Sequence, residues 1–484
     1  MNRRRLIRIA LLVGIGVLSA PLVLLAHSHL RRSEPKSRER LTAAPTAIRL
    51  WFSEPPQLAF TRIRVRGADS VDRALGPVVA ISGEPLGVSA ALLAQLAGGT
   101  YTVLWQTGGA DGHPSRGHFE FVVLAEAAMP MTKAADTPTA SPSDGHSLIR
   151  LDPTAEEPLR LNAYAATRWL EFIAVLGIVG AIVFRLVVLA GFERRAAAAD
   201  AIGSALSGMA DGSRRFGQNA LLLLLFAAVV RLYGEARVML GPDRALDAAF
   251  LRTLLGGTSW GRGWLIGAAG LLVTALGFRW ARRARAGWSL AAVGALAVAL
   301  SAALTGHAAV TPPVPLSLLD DVIHIVAASA WLGTLLVLVV AGLAAFRRPS
   351  STGRTEDGAA VAALLRGFHP VALTCATAAI LTGVISAWLR LPNVASLWTS
   401  AYGWTLLLKV ACVAVVAALG AYHWRRALPS LGDDQSTRGV RRSATIELVF
   451  AAIVLGFTAL LVSLPTPDAQ TPPPGETSAA ASPP

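Results

Sequence analysis

The chain has 484 residues, of which 53% are hydrophobic, and its formal net charge is +14 at pH 7. The apolar residues are gathered into long runs separated by arginine-rich loops, which excludes a purely soluble globular protein and predicts a polytopic membrane protein. The positive charge does not indicate nucleic-acid binding, because the arginines adjoin apolar segments, where membrane-orientation signals belong.

Residues 1–26 have the pattern of a secretory signal peptide. Four arginines lie among the first eight residues, and an apolar run follows that is closed by the small residue Ala26. Cleavage after Ala26 would make His27 the first residue of the exported chain. Leu24 stands where a small residue is preferred, and the apolar run is long enough for an uncleaved anchor. If residues 1–26 remain attached as an anchor, His27 keeps its imidazole but lacks a free amine.

Residues 27–125 are predicted to form a soluble all-β sandwich, followed by a flexible linker. Short segments of this region alternate apolar and polar residues, as half-buried strands do: Ile48–Phe52, Phe60–Val65, Tyr101–Trp105 and Gly117–Val123. Residues 126–160 are rich in Ala, Pro, Thr, Ser and Asp and show no periodicity, which is typical of a linker.

The last two of these strands predict a hairpin whose loop carries Asp111 and His113. The loop would lie exposed at one end of the sandwich. Asp111 and Gly112 also form a turn sequence by themselves, so a plain hairpin turn is the alternative interpretation.

Together with His27, this loop supplies a distinctive set of metal donors. An amino-terminal histidine offers an amine and an imidazole, and Asp111 and His113 add a carboxylate and a second imidazole. Gly112 lets both loop donors face one ion. Nitrogen and oxygen donors of this kind suit tetragonal Cu(II). His29 and His118 are expected to lie in the solvent or outside the ligand set.

Sulfur chemistry contributes little to this picture. The two cysteines, Cys375 and Cys412, lie in apolar runs and are expected to pack there, so the exported part has no disulfide framework. Of the five methionines only Met129 and Met131 are close in sequence, which does not support a methionine-rich Cu(I) site.

Residues 161–464 are predicted to form an all-α membrane domain with eight transmembrane helices, and residues 465–484 a disordered tail. The predicted spans lie near 168–190, 218–240, 263–282, 288–306, 323–345, 370–389, 403–424 and 444–463. Arginines concentrate in the loops that follow odd-numbered spans. By the positive-inside rule, the β module and the tail would both face the periplasm or exterior of a bacterial inner membrane.

Three ligand-type residues meet the predicted exterior face of the membrane domain. His307 follows the fourth span, while Asp321 and His324 share one helix face where the fifth span opens. They predict a metal-receiving site. The alternative is that the histidines cap helix ends or sit in the wet interface, with Asp320 and Asp321 as favourable first-turn acids.

Other ionisable residues leave further interpretations open. His369 and His423, near the opposite face, are candidates for an exit site or plain interfacial residues, and Lys409 and Glu447 are expected to snorkel or form structural pairs. A rival reading is a haem-binding electron-transfer protein with paired axial histidines. Another is a copper buffer or sensor that transports nothing. No nucleophile–base arrangement or phosphate loop is present, so a hydrolase or ATP-driven pump is not indicated and no enzyme is predicted.

The chain resembles a fusion of two known families. Four segments are similar to CopC copper-resistance domains: His27-Ser28-His29-Leu30, Leu50-Trp51-Phe52-Ser53-Glu54-Pro55, Asp111-Gly112-His113-Pro114 and Gly117-His118-Phe119. The later segments resemble CopD membrane proteins: Gly306-His307-Ala308, Asp321 with His324, Trp331-Leu332-Gly333, Leu381-Thr382-Gly383-Val384, and Tyr402-Gly403-Trp404 leading to Lys409.

The resemblance covers nearly the whole mature chain and implies copper handling at the cell envelope. It implies a Greek-key, immunoglobulin-like sandwich that binds Cu(II) through the His27 amine and imidazole, Asp111 and His113. It also implies a membrane domain that moves copper, usually inward, in copper homeostasis and resistance, with copper ions, the lipid bilayer and periplasmic copper donors as partners. The methionine-rich segment of some CopC proteins is missing, and His369 stands where relatives often have serine, so no role is carried onto it.

Overall fold

The computed structural model describes residues 30–53, 55–108, 114–124, 156–196, 203–240, 247–342, 354–422, 425 and 434–464. The chain divides into a β unit, which also contains the short helix Ala248–Gly257, and a helical unit. Each is described by itself.

The β unit is a sandwich of two sheets, as predicted. Its strands are β1 Leu30–Glu34, β2 Arg40–Leu41, β3 Ala47–Phe52, β4 Arg62–Gly67, β5 Asp72–Arg73, β6 Val79–Ile81, β7 Glu84–Ala91, β8 Gly99–Gly108 and β9 Pro114–Val123. One sheet has the order β1-β3-β7-β6 and the other β2-β9-β8-β4-β5. Period-two alternation turns every second side chain inward, so that Ile48, Leu50 and Phe52 of β3 are fully buried.

The predicted hairpin is confirmed. Strands β8 and β9 pair antiparallel from Gly99 opposite Val123 to Gly108 opposite Pro114. One strand differs from the prediction: Leu58–Phe60 form a 3-10 turn, so β4 begins at Arg62 rather than near residue 60. The 3-10 turn carries the chain from one sheet to the other.

The helical unit contains eight helices long and apolar enough to cross a membrane, as predicted. We number these spans 1 to 8: Ala163–Arg194, Leu206–Arg237, Ser259–Trp280, Ala286–Leu304, Val314–Gly342, Ala362–Arg390, Ala401–Tyr422 and Ala444–Ser463. The α-helical segments of this unit are Glu156–Val183, Ala190–Ala196, Gly203–Leu240, Ser259–Trp280, Ala286–Leu304, Val314–Ala328, Thr334–Val337, Arg354–Arg390, Ser396–Thr399, Ala401–Tyr422 and Asp434–Ser463. Spans 1 and 5 continue through π-helical stretches at Phe184–Leu189, Ser329–Gly333 and Leu338–Gly342.

Two boundaries differ from the sequence prediction. The first helix begins at Glu156, inside the segment predicted as linker. Span 5 begins at Val314 rather than near residue 323. Pro315 lies in its first turn, where proline's fixed φ favours helix initiation and its missing N–H costs no hydrogen bond. The residues that we placed at the mouth of this helix therefore lie well inside it.

Spans 1 and 5 cross at two glycines. A Cβ added to Gly333 would lie 3.0 Å from Cα of Gly180 and closer still to the carbonyl oxygen of Leu176. This contact leaves no room for a side chain, as at the close helix crossings of other membrane proteins. It fixes the π-helical stretch of span 5 against span 1.

We therefore expect Gly333→Ala to destabilise the helical unit by about 1–3 kcal/mol, the usual range for overpacking. The measurement is the midpoint of thermal unfolding of the purified chain in detergent. Gly208→Ala is the matched control, since a Cβ there meets nothing within 4 Å. Equal effects of the two substitutions would contradict the crossing.

Candidate metal sites

One end of the sandwich gathers the start of β1 and the tip of the β8–β9 hairpin. Leu30 pairs with Phe52, at the end of β3. The ring of Phe52 packs edge-on against Trp105 of β8, with centroids 5.2 Å apart. Beyond Phe52, the backbone N–H of Gln57 donates to the carbonyl of Gly108 at 2.9 Å. The chain therefore enters the sandwich at the same end at which the hairpin turns.

The three predicted outer ligands, His27, Asp111 and His113, lie outside the described residues. The strands next to these residues are described. His27 precedes Leu30 by three residues, Asp111 follows Gly108 by three, and each such stretch reaches about 10 Å when extended. The described strands thus place the starts of both segments at the same end of the sandwich.

In the helical unit, His324 is held by span 6. Its Nδ1 lies 3.0 Å from the hydroxyl of Thr382. That hydroxyl donates its single proton to a backbone carbonyl, at 2.7 Å from Ala378 O. With its proton on that carbonyl, the Thr382 hydroxyl can only accept from His324, an arrangement in which Nδ1 carries the proton and Nε2 keeps its lone pair. A ring N–H held in this way is how metal-binding histidines are usually oriented.

The two acids beside His324 are also engaged by span 6. Asp321 forms an ion pair with Arg390 at 3.5 Å. Asp320 is 4% exposed, and its Oδ2 accepts from Ser386 at 2.6 Å, while its Oδ1 has no hydrogen-bond donor within the described chain. The alternative of first-turn acids is wrong, because the helix starts at Val314 and its first turn contains no acid.

His307 begins a 3-10 turn, His307–Ala309, directly after span 4. The backbone just before it is anchored by Arg231 of span 2, which donates to the Thr305 hydroxyl at 3.1 Å and to the Thr305 carbonyl at 3.0 Å. Behind it, the Thr311 hydroxyl donates to the His307 carbonyl at 2.8 Å. The turn is thus fixed on both sides.

Arg231 belongs to a buried ion network that sequence analysis did not find. Glu171 of span 1 pairs with Arg168 and lies 3.6 Å from Arg231. All three side chains are less than one-tenth exposed. The ring of Trp260 lies 5.4 Å from the Arg231 guanidinium. The network joins spans 1, 2 and 3 to the turn that carries His307.

Removing the shared carboxylate should therefore destabilise the helical unit strongly. We expect Glu171→Gln to cost about 3–5 kcal/mol, because two buried guanidiniums lose the anion that they share. Thermal unfolding in detergent measures the effect. Asp211→Asn is the control: Asp211 pairs with Arg214 at 3.0 Å but its side chain is 58% exposed, so about 1 kcal/mol or less is expected. A Glu171 variant as stable as this control would show that the network stabilises nothing.

The structure does not bring the predicted receiving site together as a three-residue cluster. Across the described ranges, no group of three or more His, Cys, Asp or Glu side chains could hold a metal ion. Asp321 faces Arg390 and His324 faces Thr382. The site of His307, Asp321 and His324 stays a prediction. His369 lies partly buried in span 6, and His423 lies outside the described residues.

The missed residues of span 6 carry a readable signal. Thr382, Ser386 and Arg390 are spaced at i, i+4 and i+8, which places them on one helix face. That face meets Asp320, Asp321 and His324. A polar stripe within an apolar span is costly in a membrane and thus indicates function.

The fold and these sites define a class of protein: a β-sandwich with its amino end beside a donor-rich hairpin, fused to an eight-span membrane domain with buried polar residues. Residues 30–124 match the CopC domain, residues 158–313 the copper resistance protein D-like N-terminal domain and residues 362–461 copper resistance protein D. The chain belongs to the CopC and CopD copper-resistance families, as a fusion of the two.

Relatives agree with this assignment. The copper transport protein CutJ of Bacillus subtilis (strain 168) is 26% identical over 459 residues, covering 93% of this chain and 76% of CutJ. Protein YobA of Escherichia coli (strain K12) is 34% identical over 119 residues, covering 25% of this chain and 95% of YobA. The crystal structure of PcoC, a methionine-rich copper resistance protein from Escherichia coli, has 31% identity, covers 20% of this chain and 99% of PcoC, and gives a TM-score of 0.19.

These findings place the chain among multi-pass membrane proteins of copper resistance and transport. The matched families are copper-binding and transport proteins rather than enzymes.

Proposed function

We propose that the sandwich captures Cu(II) outside the cytoplasm and that the membrane domain carries copper inward across the inner membrane. The observation that supports capture most is that the chain enters the sandwich at Leu30, opposite Phe52, at the same end at which β8 and β9 turn at Gly108 and Pro114. An amino-terminal histidine and two loop donors would then converge on one ion. The proposed ligands are His27, through its amine and imidazole, Asp111 and His113.

The chemistry of these donors favours the oxidised ion. Amine, imidazole and carboxylate are borderline or hard ligands that suit Cu(II), whereas Cu(I) prefers thiolates and thioethers. The two cysteines of the chain lie in spans 6 and 7, where both are free thiols. Donor type therefore supports a cupric outer site.

Arginine placement supports the orientation. The arginine-rich loops follow odd-numbered spans, and cytoplasmic loops carry such an excess. With eight spans, this orientation leaves the sandwich and the tail outside. The segment between sandwich and span 1 then tethers the loaded module, which raises the local copper concentration at the membrane domain to the order of millimolar.

For the receiving site we propose His307, Asp321 and His324. The fixed turn of His307 and the Nε2 lone pair of His324 support the two imidazoles. Asp321 would have to exchange Arg390, 3.5 Å away, for the metal. Binding would therefore coincide with a rearrangement between spans 5 and 6.

The orienting hydroxyl gives a sharp test of His324. We expect Thr382→Val to reduce copper uptake about 10- to 100-fold, the usual cost of losing a partner that orients a metal ligand. Thr382→Ser should restore most of it. Thr374→Val is the matched control, because Thr374 lies exposed on the same span and its hydroxyl bonds carbonyls of its own helix, Pro370 at 2.7 Å and Val371 at 3.4 Å. Uptake is measured with radioactive copper in proteoliposomes. Equal losses in the two valine variants would remove His324 from the pathway.

The whole proposal is tested by cellular copper. Cells that express the chain should accumulate more copper than cells with an empty vector at the same external concentration. Depletion would mean export, and an unchanged level would mean that the chain transports no copper.

A further inference from the structure

A basic cavity lies among spans 1 to 4, apart from the proposed copper path. Its volume is about 410 Å³. Five arginines line it, together with Asp211 and the buried ring of Trp288: Arg185, Arg214, Arg215, Arg282 and Arg285. They come from three places in the chain: span 1, the start of span 2, and the turn between spans 3 and 4.

The nearby acids do not balance this charge. Glu193 pairs with both Arg185 and Arg285, at 3.3 Å each, and Asp211 pairs with Arg214 at 3.0 Å. Five cations against two anions leave three positive charges at the cavity. Within the described part of the chain, neither Arg215 nor Arg282 takes part in these ion pairs.

One of these cations is held away from water. The side chain of Arg185 is only 10% exposed, and it lies in the π-helical stretch of span 1. π-Helical turns inside α-helices are frequent at functional sites. A buried guanidinium needs counter-charge, and Glu193, which pairs with Arg185, also pairs with Arg285.

Membrane orientation alone would not require this arrangement. The positive-inside rule needs arginines in the loops, exposed to water and headgroups. It does not require them to converge from three segments on a concave site with an aromatic wall. Guanidinium groups match the geometry of phosphate oxygens, and basic pockets between transmembrane helices on the cytoplasmic side receive anionic headgroups.

We propose that this cavity binds a phosphate group, supplied either by the headgroup of an anionic phospholipid or by free phosphate. Arg215 and Arg282 would bind the phosphate oxygens, and the largely buried Arg185 would add its positive charge to the cavity. Trp288, only 4% exposed, forms the apolar wall against the helices.

The test uses the purified full chain in detergent, stripped of lipid. Phosphatidylglycerol is added and binding is followed by native mass spectrometry, with zwitterionic phosphatidylethanolamine as the comparison lipid and inorganic phosphate as the competitor. We expect preferential binding of phosphatidylglycerol to the wild type. Arg215→Gln with Arg282→Gln should weaken it at least about tenfold, because charge-assisted hydrogen bonds are lost.

Arg283→Gln is the matched control. Arg283 is an exposed neighbour in the same turn, carries the same charge and does not line the cavity. Lipid retained against millimolar phosphate identifies a headgroup site, and displacement by phosphate identifies a site for the free anion as well. Equal binding of the two lipids without phosphate binding, or an equal loss in Arg283→Gln, overturns the proposal.

A second measurement does not depend on the variants folding. Either occupant should raise the midpoint of thermal unfolding of the wild type, because a ligand that binds only the folded state stabilises it. No rise with phosphatidylglycerol or with phosphate overturns the proposal. Copper uptake is not the readout, so this result is independent of the proposed transport.

Discussion

Replacing both His307 and His324 with alanine should reduce copper uptake by proteoliposomes at least about tenfold, towards the level of empty vesicles. Loss of even an orienting partner costs metal sites roughly 10- to 100-fold, and here two proposed ligands are removed. His307 begins the turn that Arg231 and Thr311 fix, and His324 of span 5 is held by the hydroxyl of Thr382. Initial uptake of radioactive copper at fixed lipid and protein content measures the effect.

The matched control is His369→Ala. It removes a partly buried membrane histidine from span 6 that is not among the three residues of the proposed receiving site. The control should take up copper like the wild type. Uptake by the double variant equal to the control would mean that copper crosses by another route or that the membrane domain only anchors the sandwich.

Loss of the outer ligands should produce a different kinetic pattern. We expect His113→Ala to weaken Cu(II) binding by the mature full chain at least about a hundredfold, because one of the two proposed imidazole donors is removed. Uptake should then fall at low copper and recover at high copper, because the membrane domain still receives copper from solution. The copper concentration that gives half-maximal uptake should therefore rise, while the maximal uptake rate should be unchanged.

His118→Ala is the control for the outer site. His118 lies exposed on β9, opposite Leu104 in the strand register, and outside the loop. It should bind Cu(II) like the wild type. A fall in maximal rate in the His113 variant, rather than in apparent affinity, would contradict a capture role.

Binding of Cu(II) by the wild type should also weaken below about pH 6.5, where imidazoles take up protons and cease to be ligands.

The sequence predicts the sandwich, the hairpin and the span count because each depends on local periodicity. Alternation in Tyr101–Trp105 and Gly117–Val123 needs only a buried face, and a run of about 20 apolar residues needs only a bilayer. Boundaries were less predictable. Span 5 begins nine residues before the predicted start. In the sequence, Asp320 and Asp321 resemble the acids of a helix's first turn. Their partners Ser386 and Arg390 on span 6 become visible only in the structure.

Contacts between distant spans are what the sequence does not reveal. Arg168 and Glu171 stand three residues apart and could pair on any helix surface. Their burial, and the addition of Arg231 and Thr305, depend on how spans 1, 2 and 4 pack. The arginines of the basic cavity likewise read as orientation signals alone until Arg185 is seen to be buried beside Trp288.

The account depends most on the cupric chelate at the mature amino end, and native mass spectrometry of the purified full chain with one equivalent of Cu(II) tests it directly. The predicted species begins at His27 and carries one copper ion, and His113→Ala at the same copper concentration carries much less copper. A chain that retains residues 1–26, or one that begins at His27 and binds no copper, would contradict the account.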